Sequence, residues 1–217
     1  MITVGEIYGF INKIAPFNIQ DKADNSGLLI GDDNVEVNKI LVCLDVTNKV
    51  VEEAVEKGID LIISHHPLMR PAVSKIVDNS PLRSLICSNI NLIAVHTNLD
   101  IAVGGIADLM LEKLNFPKSE TVILPINPDG SGYGRIIKLD APVFAKDLAE
   151  KCKTTFGCTV VRYVDSDKAL SKIGVTSGSA EESVEMALNL GCDAFICGEV
   201  AHDRMLFAAD YFEFPQN

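Results

Sequence analysis

Apolar residues near the start of the chain recur at helical spacing. Positions 7, 10, 11 and 14 carry isoleucine or phenylalanine, so they fall on one face of a helix. Thr3 precedes this run and Glu6 lies three residues further on, which is the pattern of a capping box at a helix N-terminus. The chain is therefore predicted to open with an amphipathic helix.

The next pattern predicts a strand, a helix and a second strand. Residues 39–46 and 60–64 are short apolar runs typical of buried strands. Residues 47–57 between them carry apolar side chains on one helical face, and Gly58 suits the position that ends a helix. Because a helical crossover connects strands that run in the same direction, we expect the two strands to be parallel.

The same pattern returns later in the chain. Residues 172–196 align with residues 39–63 without a gap, and nine positions are identical. The matched glycines, Gly58 and Gly191, both fall at an expected helix end. Two parallel-sheet segments can share such a pattern through architecture alone, but nine identities at one constant offset favour an internal duplication.

The fold class that follows is α/β, with duplicated strand-helix-strand units and largely parallel sheets flanked by helices. Gly, Pro, Asn and Asp residues at 125–134 mark a junction. We expect a single domain built of two interlocked halves, about 1–124 and 125–217. The other expected elements are a helix at 81–88, strands at 91–96, 133–139 and 158–163, and a helix at 142–156.

Charge and composition limit the classes of binding partner and the cellular compartment that we expect. The formal net charge of −11 repels phosphate backbones and disfavours nucleic acid as a partner. No run approaches the roughly 18–20 apolar residues of a membrane-spanning helix, and the N-terminus lacks the features of a signal peptide. We therefore expect a cytoplasmic protein with no membrane partner. Its six cysteines include no Cys-x-x-Cys pair and are expected to be reduced.

Metal-binding side chains follow two of the expected strands. His65 and His66 come directly after residues 60–64, while His96 ends the next strand and Asp100 lies four residues beyond it. Ligands of open parallel sheets bind outside the carboxyl ends of the strands, so we expect these side chains in one neighbourhood. Imidazole together with carboxylate suits zinc, iron or manganese better than calcium.

The adjacent histidines are weak evidence by themselves, because surface or core histidines give the same sequence. Asp100 at the matching strand end makes a metal site an equally good explanation. Neighbours on a regular strand point to opposite faces, but Pro67 interrupts this strand, so both imidazoles can turn towards one ion or towards two neighbouring ions. His96 is expected to support the ligands through hydrogen bonds.

The repeat adds a second group of polar residues. At the constant offset, His65 and His66 correspond to Gly198 and Glu199, and His202 follows at the equivalent sheet edge. Glu199 is a candidate metal ligand, a candidate support for the ligands, or a candidate general base. His202 is a candidate for supporting the ligands or contacting substrate.

Three more polar residues have competing explanations. Asn25 lies in a turn sequence, Asp-Asn-Ser-Gly, and is also a candidate for contacting substrate or supporting the ligands. Thr47 is interpreted as a helix cap, whereas Asp45 either caps the same helix or carries protons in catalysis. The sequence contains no phosphate-binding loop, no dinucleotide fingerprint and no nucleophile elbow of the hydrolase type.

Four motifs, in this order, resemble the Nif-three-like family, whose members carry the description GTP cyclohydrolase I type 2 homologue. They begin at Asp24 (Asp-Asn-Ser-Gly-Leu), Ser64 (Ser-His-His-Pro), His96 (His-Thr-Asn-Leu-Asp) and Gly198 (Gly-Glu-Val). The resemblance runs from about the first helix to the last residue. It implies a duplicated α/β fold, a site for two divalent ions, and a ring-shaped homohexamer whose sites face an inner cavity.

By this resemblance, His65, His66 and Asp100 are metal ligands. The family normally completes the site with Gly-His and a nearby Glu close to the C-terminus, and the 217 residues end before such a motif. We therefore expect weak binding and at most one well-held ion per chain, unless Glu199, His202 or a neighbouring subunit completes the ligand set.

The function expected from these features is that of a metal-dependent hydrolase acting on a nucleotide or phosphoester. Bound ions would activate water, with Glu199 or Asp45 carrying protons. The nucleotide substrate rests on the family's description alone, and function belongs to the site rather than the fold. The alternative is a non-catalytic metal carrier, metallochaperone or regulatory binding protein, which an incomplete ligand set favours. A third interpretation is a purely structural subunit of an assembly.

Overall fold

The chain divides into two compact units in its computed structural model, Met1–Val103 and Gly104–Asn217. The structure describes residues 1–70, 73–77, 80–119, 121–179 and 181–213. Residues 214–217, where the sequence stops before the expected C-terminal motif, lie outside the described residues. The expected boundary between halves, at 124 and 125, differs from this division. The reason is that Leu111 and Leu114 pack into the core of the second unit.

The first unit is built on a four-stranded sheet in the order β2-β6-β5-β4. Strands β4, β5 and β6 are parallel, and β2 runs antiparallel to β6. The elements, in chain order, are β1 (Ile2–Thr3), α1 (Val4–Ile14), a 3-10 turn (Phe17–Ile19), β2 (Gly27–Ile30), β3 (Glu36–Val37), β4 (Ile40–Cys43), α2 (Asn48–Lys57), β5 (Leu61–Ser64), α3 (Pro81–Cys87), β6 (Asn91–Ala94) and α4 (Thr97–Ile101).

The opening helix α1 begins as the sequence predicts. The Thr3 amide donates to Glu6 Oε2 at 2.8 Å, and the Glu6 amide donates to Thr3 Oγ1 at 3.3 Å, which completes the capping box. Only part of the expected apolar face is covered, because Phe10 and Ile14 remain 63% and 55% exposed. The buried residues of α1 are Val4, Ile7 and Ile11.

Both faces of the sheet in the first unit carry an apolar core. Leu61 of β5 and Ile93 of β6 pack with α1 on one face. Ile62 and Leu92, their chain neighbours, point to the opposite face and pack with apolar residues of α2 and α3. The two central strands are therefore held from both sides, which fixes the positions at which they end.

The second unit is built on a three-stranded sheet in the order β11-β10-β9. Strand β10 is parallel to β11 and antiparallel to β9. The elements, in chain order, are α5 (Ile106–Lys113), β7 (Leu124–Pro125), β8 (Gly132–Tyr133), β9 (Arg135–Val143), α6 (Ala145–Phe156), β10 (Leu170–Val175), α7 (Glu181–Asn189), β11 (Ala194–Ile196) and α8 (His202–Glu213).

The α/β class is confirmed, but the sheets are parallel only in part. Antiparallel pairs join β2 to β6, β9 to β10 and β7 to β8, and the β7–β8 pair occupies the junction expected to be a loop. The strand expected at 158–163 is wrong: the segment pairs with no strand among the described residues, and Val160 is 73% exposed. An apolar run becomes a strand only where a partner edge is available to it.

The two repeated segments both form strand-helix-strand units. β4 pairs with β5 across α2, and β10 pairs with β11 across α7, in parallel in each case. This confirms the prediction made from the gapless alignment of residues 39–63 with 172–196.

Equivalent residues of the repeats also make equivalent contacts. Asp60 Oδ2 accepts hydrogen bonds from two backbone amides at 2.8 and 2.9 Å, and Asp193 Oδ2 accepts from the corresponding two amides at 2.8 Å. Lys39 and Lys172 each donate from Nζ to a carbonyl at the end of the following helix. The glycines after these helices have left-handed φ angles of 60° and 74°. Agreement at this level supports duplication over shared architecture.

We expect Asp60→Ala and Asp193→Ala to lower the free energy of unfolding by similar amounts, about 1–3 kcal/mol each. Each substitution leaves two backbone amides without their carboxylate acceptor. Urea titration measures the change, with Asp140→Ala, which removes an exposed carboxylate on β9, as the control. A loss confined to one of the two aspartates would show that the repeated contacts are not energetically equivalent.

The cysteines are unpaired, and burial governs the reactivity of two of them. All six cysteines are free thiols. Burial raises the pKa of Cys192 and of Cys197 to about 11, so these two are unreactive packing residues at neutral pH. Within the described ranges, no helix combines the length and apolar character needed to cross a bilayer.

Candidate functional site

Four strands of the first unit supply residues to one edge of their sheet. The carboxyl ends of β4, β5 and β6 meet there because these strands are parallel. Strand β2 is antiparallel, and its first residue, Gly27, pairs with Ala94 at the end of β6. The segment that precedes β2 therefore reaches the same edge, and it carries Asp24, Asn25 and Ser26.

Three histidines meet at this edge. The ring centroid of His65 lies 5.1 Å from that of His66 and 5.1 Å from that of His96, and the centroids of His66 and His96 lie 5.5 Å apart. One ring nitrogen of each histidine lies within 4.8 Å of those of the other two. This spacing allows all three imidazoles to reach one ion.

His65 is oriented by a backbone carbonyl. Its amide donates to Cys43 O at 3.1 Å, and its ring Nδ1 lies 2.9 Å from Val95 O. A carbonyl can only accept a hydrogen bond, so Nδ1 carries the proton and Nε2 keeps a free lone pair. Nε2 lies 3.8 Å from Asp100 Oδ2, too far for a hydrogen bond but suitable for two ligands of one ion.

Asp100 lies on α4, immediately after β6. Its side chain is only 10% exposed. The helix is tied to the rest of the unit by the buried side chain of Asn98, whose Nδ2 donates to Ala15 O at 2.7 Å. The carboxylate is thereby held beside the imidazole of His65, as the sequence predicted.

His66 is oriented by a carboxylate. Its ring Nδ1 lies 2.7 Å from Asp45 Oδ1, which leaves Nε2 free for a ligand. Its backbone is held as well, because its amide donates to Leu44 O at 2.9 Å and its carbonyl accepts from Ser64 Oγ at 2.9 Å. His66 and Asp45 are about half exposed, at 47% and 57%, and so form the solvent side of the cluster.

His96 is oriented by a second carboxylate, which is fully buried. Its ring Nδ1 lies 2.8 Å from Asp24 Oδ1. Asp24 Oδ2 accepts from Ser26 Oγ at 2.9 Å, from the Thr97 amide at 3.0 Å, and from Thr97 Oγ1. Burial by itself would raise the pKa of Asp24, but hydrogen bonds from Thr97, His96, the Asn25 backbone and Ser26 hold it well below its ordinary value.

The donor set fits a borderline transition metal. In each histidine, Nδ1 is paired with an oxygen atom and Nε2 remains available, which is the arrangement that orients imidazole ligands in metalloproteins. Three imidazoles with one adjacent carboxylate suit zinc, iron or manganese, whereas calcium and magnesium require mostly oxygen ligands. His65, His66 and His96 would hold the ion, with Asp100 beside them.

The structure brings together the residues that the sequence singled out in the first unit. His65, His66 and Asp100 lie together as expected, and His96, expected only to support the ligands, is a full member of the cluster. Glu199 and His202 belong to the second unit, where both are exposed, so their roles remain predictions.

The structure also separates the residues that had competing explanations. Thr47 caps α2, accepting from the Val50 amide at 3.3 Å. Asp45 contacts His66. Asn25 donates from Nδ2 to Met69 O at 2.8 Å, and so holds the loop after the histidines.

Sequence reasoning missed the part played by Asp24. The segment Asp-Asn-Ser-Gly was interpreted as a turn, and the antiparallel direction of β2, which brings Asp24 to the histidines, is not visible in a local pattern. The available signal was the position of this acidic turn immediately before an apolar strand.

Comparison with known proteins gives a consistent result. The family model described as Duf34/NIF3 (NGG1p interacting factor 3) matches residues 2–212. A Clostridium perfringens protein named GTP cyclohydrolase 1 type 2 homolog is 34% identical over 221 residues, which cover 99% of this chain and 82% of that protein.

Solved structures share the fold. A hypothetical protein of Staphylococcus aureus matches with a TM-score of 0.87 at 28% identity, over 97% of this chain and 83% of that one. A Bacillus cereus protein related to NIF3 matches with a TM-score of 0.86 at 20% identity, over 97% of this chain and 85% of that one, and at this identity the match concerns the fold alone.

Proposed function

Because this chain belongs to the Duf34/NIF3 family, we propose that it is a divalent-metal-binding protein whose ion is held by His65, His66 and His96, with Asp100 as a further ligand. The observation that carries the proposal is the pairing of all three Nδ1 atoms with oxygen acceptors. Histidines that only fill a surface need no such common orientation. Here the common orientation of the three rings leaves three Nε2 lone pairs beside the buried carboxylate of Asp100.

We propose further that the protein is a metal-dependent hydrolase acting on a nucleotide or phosphoester. A bound divalent ion would supply Lewis-acid chemistry, lowering the pKa of a water molecule and polarising a substrate oxygen. Asp45 accepts the hydrogen bond of His66 Nδ1 and is 57% exposed, so it lies between the cluster and solvent as the candidate proton carrier. The nucleotide substrate is suggested by the relatives' name, GTP cyclohydrolase 1 type 2 homolog.

The second candidate is a non-catalytic metal carrier or metallochaperone. It is favoured by the exposure of His66 and Asp45, which leaves one side of the cluster open for an ion to enter or leave. A ring-shaped homohexamer is also proposed, on the resemblance alone. The native mass of the purified protein tests this assembly.

Elemental analysis of protein purified without added metal tests the proposed function. We expect retention of zinc, iron or manganese, with the bound ion exchanging during dialysis against a chelator. The protein is then reloaded with one metal at a time and assayed on GTP and on bis(4-nitrophenyl) phosphate. Metal-dependent turnover that His65→Ala abolishes would support the hydrolase, whereas metal binding without turnover would support the carrier. Failure to bind any of the three metals would refute both.

A further inference from the structure

Arg70 is a cation placed beside the histidine cluster. Its Nη1 lies 3.6 Å from Asp24 Oδ1, the same oxygen that faces the Nδ1 of His96. The side chain of Asp24 is fully buried, whereas that of Arg70 is 46% exposed. One edge of the guanidinium is therefore anchored at the cluster while the rest is accessible to a ligand.

Asp24 does not need Arg70 to satisfy its charge. Its two oxygens already accept from the Thr97 amide and hydroxyl, from Ser26 Oγ and from His96 Nδ1. The distance of 3.6 Å to Arg70 is that of an ion pair rather than a hydrogen bond. Within the parts of the chain that the structure describes, this ion pair is the one polar contact of Arg70, so its N–H donors are available.

The loop that carries Arg70 is held against the site. Asn25 Nδ2 donates to the carbonyl of Met69, the residue before Arg70, at 2.8 Å. Leu68 packs against the core beneath α2 and α3. The backbone immediately before Arg70 is thus held near the cluster, which lowers the entropy lost when Arg70 binds a ligand.

The electrostatics of the site give Arg70 a specific use. The chain has a net charge of −11, and the cluster is surrounded by the carboxylates of Asp24, Asp45 and Asp100. An anionic ligand approaching the histidines meets this negative charge, which a guanidinium at the rim offsets locally. The planar fork of arginine donors matches the oxygen atoms of a phosphate group.

We propose that Arg70 binds the phosphate group of a phosphorylated substrate while the reacting atoms lie at the histidine cluster. The inference rests on the proposed function of that cluster. It assigns the substrate class as compounds that carry a phosphate group, and this group would bind at the sheet edge where β5 and β6 end. Arg70 is a substrate-binding residue in this assignment and has no part in holding the metal.

Titration of the zinc-loaded full chain with inorganic phosphate, followed by calorimetry, tests the assignment. We expect Arg70→Met to weaken phosphate binding about 10- to 100-fold, the loss typical of a charge-assisted contact, and Arg70→Lys to retain part of the affinity. Lys75→Met is the matched control, because it removes an exposed cation from the same connection between β5 and α3. It should leave phosphate binding within about twofold of the unmodified chain.

Zinc content and melting temperature are measured for every variant. Equal phosphate affinity in Arg70→Met and the unmodified chain would overturn the inference and leave the metal function standing. Loss of zinc in Arg70→Met would also overturn it, since Arg70 would then support the ligands. The titration is repeated without zinc, where the same dependence on Arg70 is expected at lower affinity. A chain that binds none of zinc, iron and manganese refutes the proposed function, while the difference in phosphate affinity between variants still decides the role of Arg70.

Discussion

Replacing His65 with alanine is expected to lower zinc affinity at least about 100-fold while the protein stays folded. Loss of a residue that merely supports a ligand costs about 10–100-fold in affinity, and loss of the ligand itself costs more. The imidazole lies at the end of β5 rather than inside it, and 22% of it is exposed, so its removal leaves the core intact. His66→Ala should behave similarly, because its ring is 47% exposed. Competition with a chromophoric chelator measures the affinity, and circular dichroism monitors the fold.

A substitution at the opposite edge of the same sheet provides the control. Glu56 is exposed near the end of α2, which leads into the start of β5, so Glu56→Ala should retain the zinc affinity of the unmodified chain. The zinc affinity of Asp45→Asn should lie between those of His65→Ala and the control. We expect a loss of about 10–100-fold, because this substitution disturbs only the acceptor of the His66 proton. Unchanged affinity in His65→Ala would exclude His65 as a ligand. Unfolding of His65→Ala would show that this histidine is a core residue.

Asp24→Ala is expected to be the most destabilising substitution at the site, at about 3–5 kcal/mol in metal-free protein. The carboxylate is fully buried and accepts hydrogen bonds from Ser26, from Thr97 and from the ring of His96. Removing one partner of a buried charged network costs this much because the remaining donors are left unsatisfied. Zinc affinity should fall as well, since His96 loses the acceptor that orients it. Denaturant unfolding in the presence of a chelator measures the free energy of unfolding separately from metal binding.

The pH dependence of this loss has a definite sign. The pKa of Asp24 is held below its ordinary value of 3.8, so the carboxylate stabilises the folded state above about pH 4. That contribution decreases as the pH falls through the lowered pKa. The difference in free energy of unfolding between the unmodified chain and Asp24→Ala should therefore become smaller in acid. Asp33→Ala, which removes an exposed carboxylate from the same unit, should change stability by no more than about 0.5 kcal/mol. A similar loss in both variants would show that net charge, rather than the buried network, is responsible.

Local patterns in the sequence were sufficient for several features. The capping box of α1 and both repeated strand-helix-strand units depend on contacts between residues close in sequence, and each was correctly predicted. The ends of helices α2 and α7 at glycines follow for the same reason. The failures are of another kind: the strand expected at 158–163, and α6, which begins at Ala145 rather than at 142. The first depended on a distant partner edge. The second arose because residues 142 and 143 extend β9, where Val143 pairs with Leu170 of β10.

The sequence by itself determined that His65 and His66 follow a buried strand, that Asp100 lies near the end of another, and that the two strands run in parallel. These are consequences of periodicity and short connections. The sequence also placed His96 in this neighbourhood, but only as a support for the ligands. Only the tertiary structure decided that one of its ring nitrogens lies within 4.8 Å of those of His65 and His66, that Asp24 orients its ring, and that Arg70 lies beside Asp24. The physical reason is that β2 runs antiparallel to β6, a pairing made by backbone hydrogen bonds between residues more than sixty positions apart, about which the local order of apolar and polar residues carries no information.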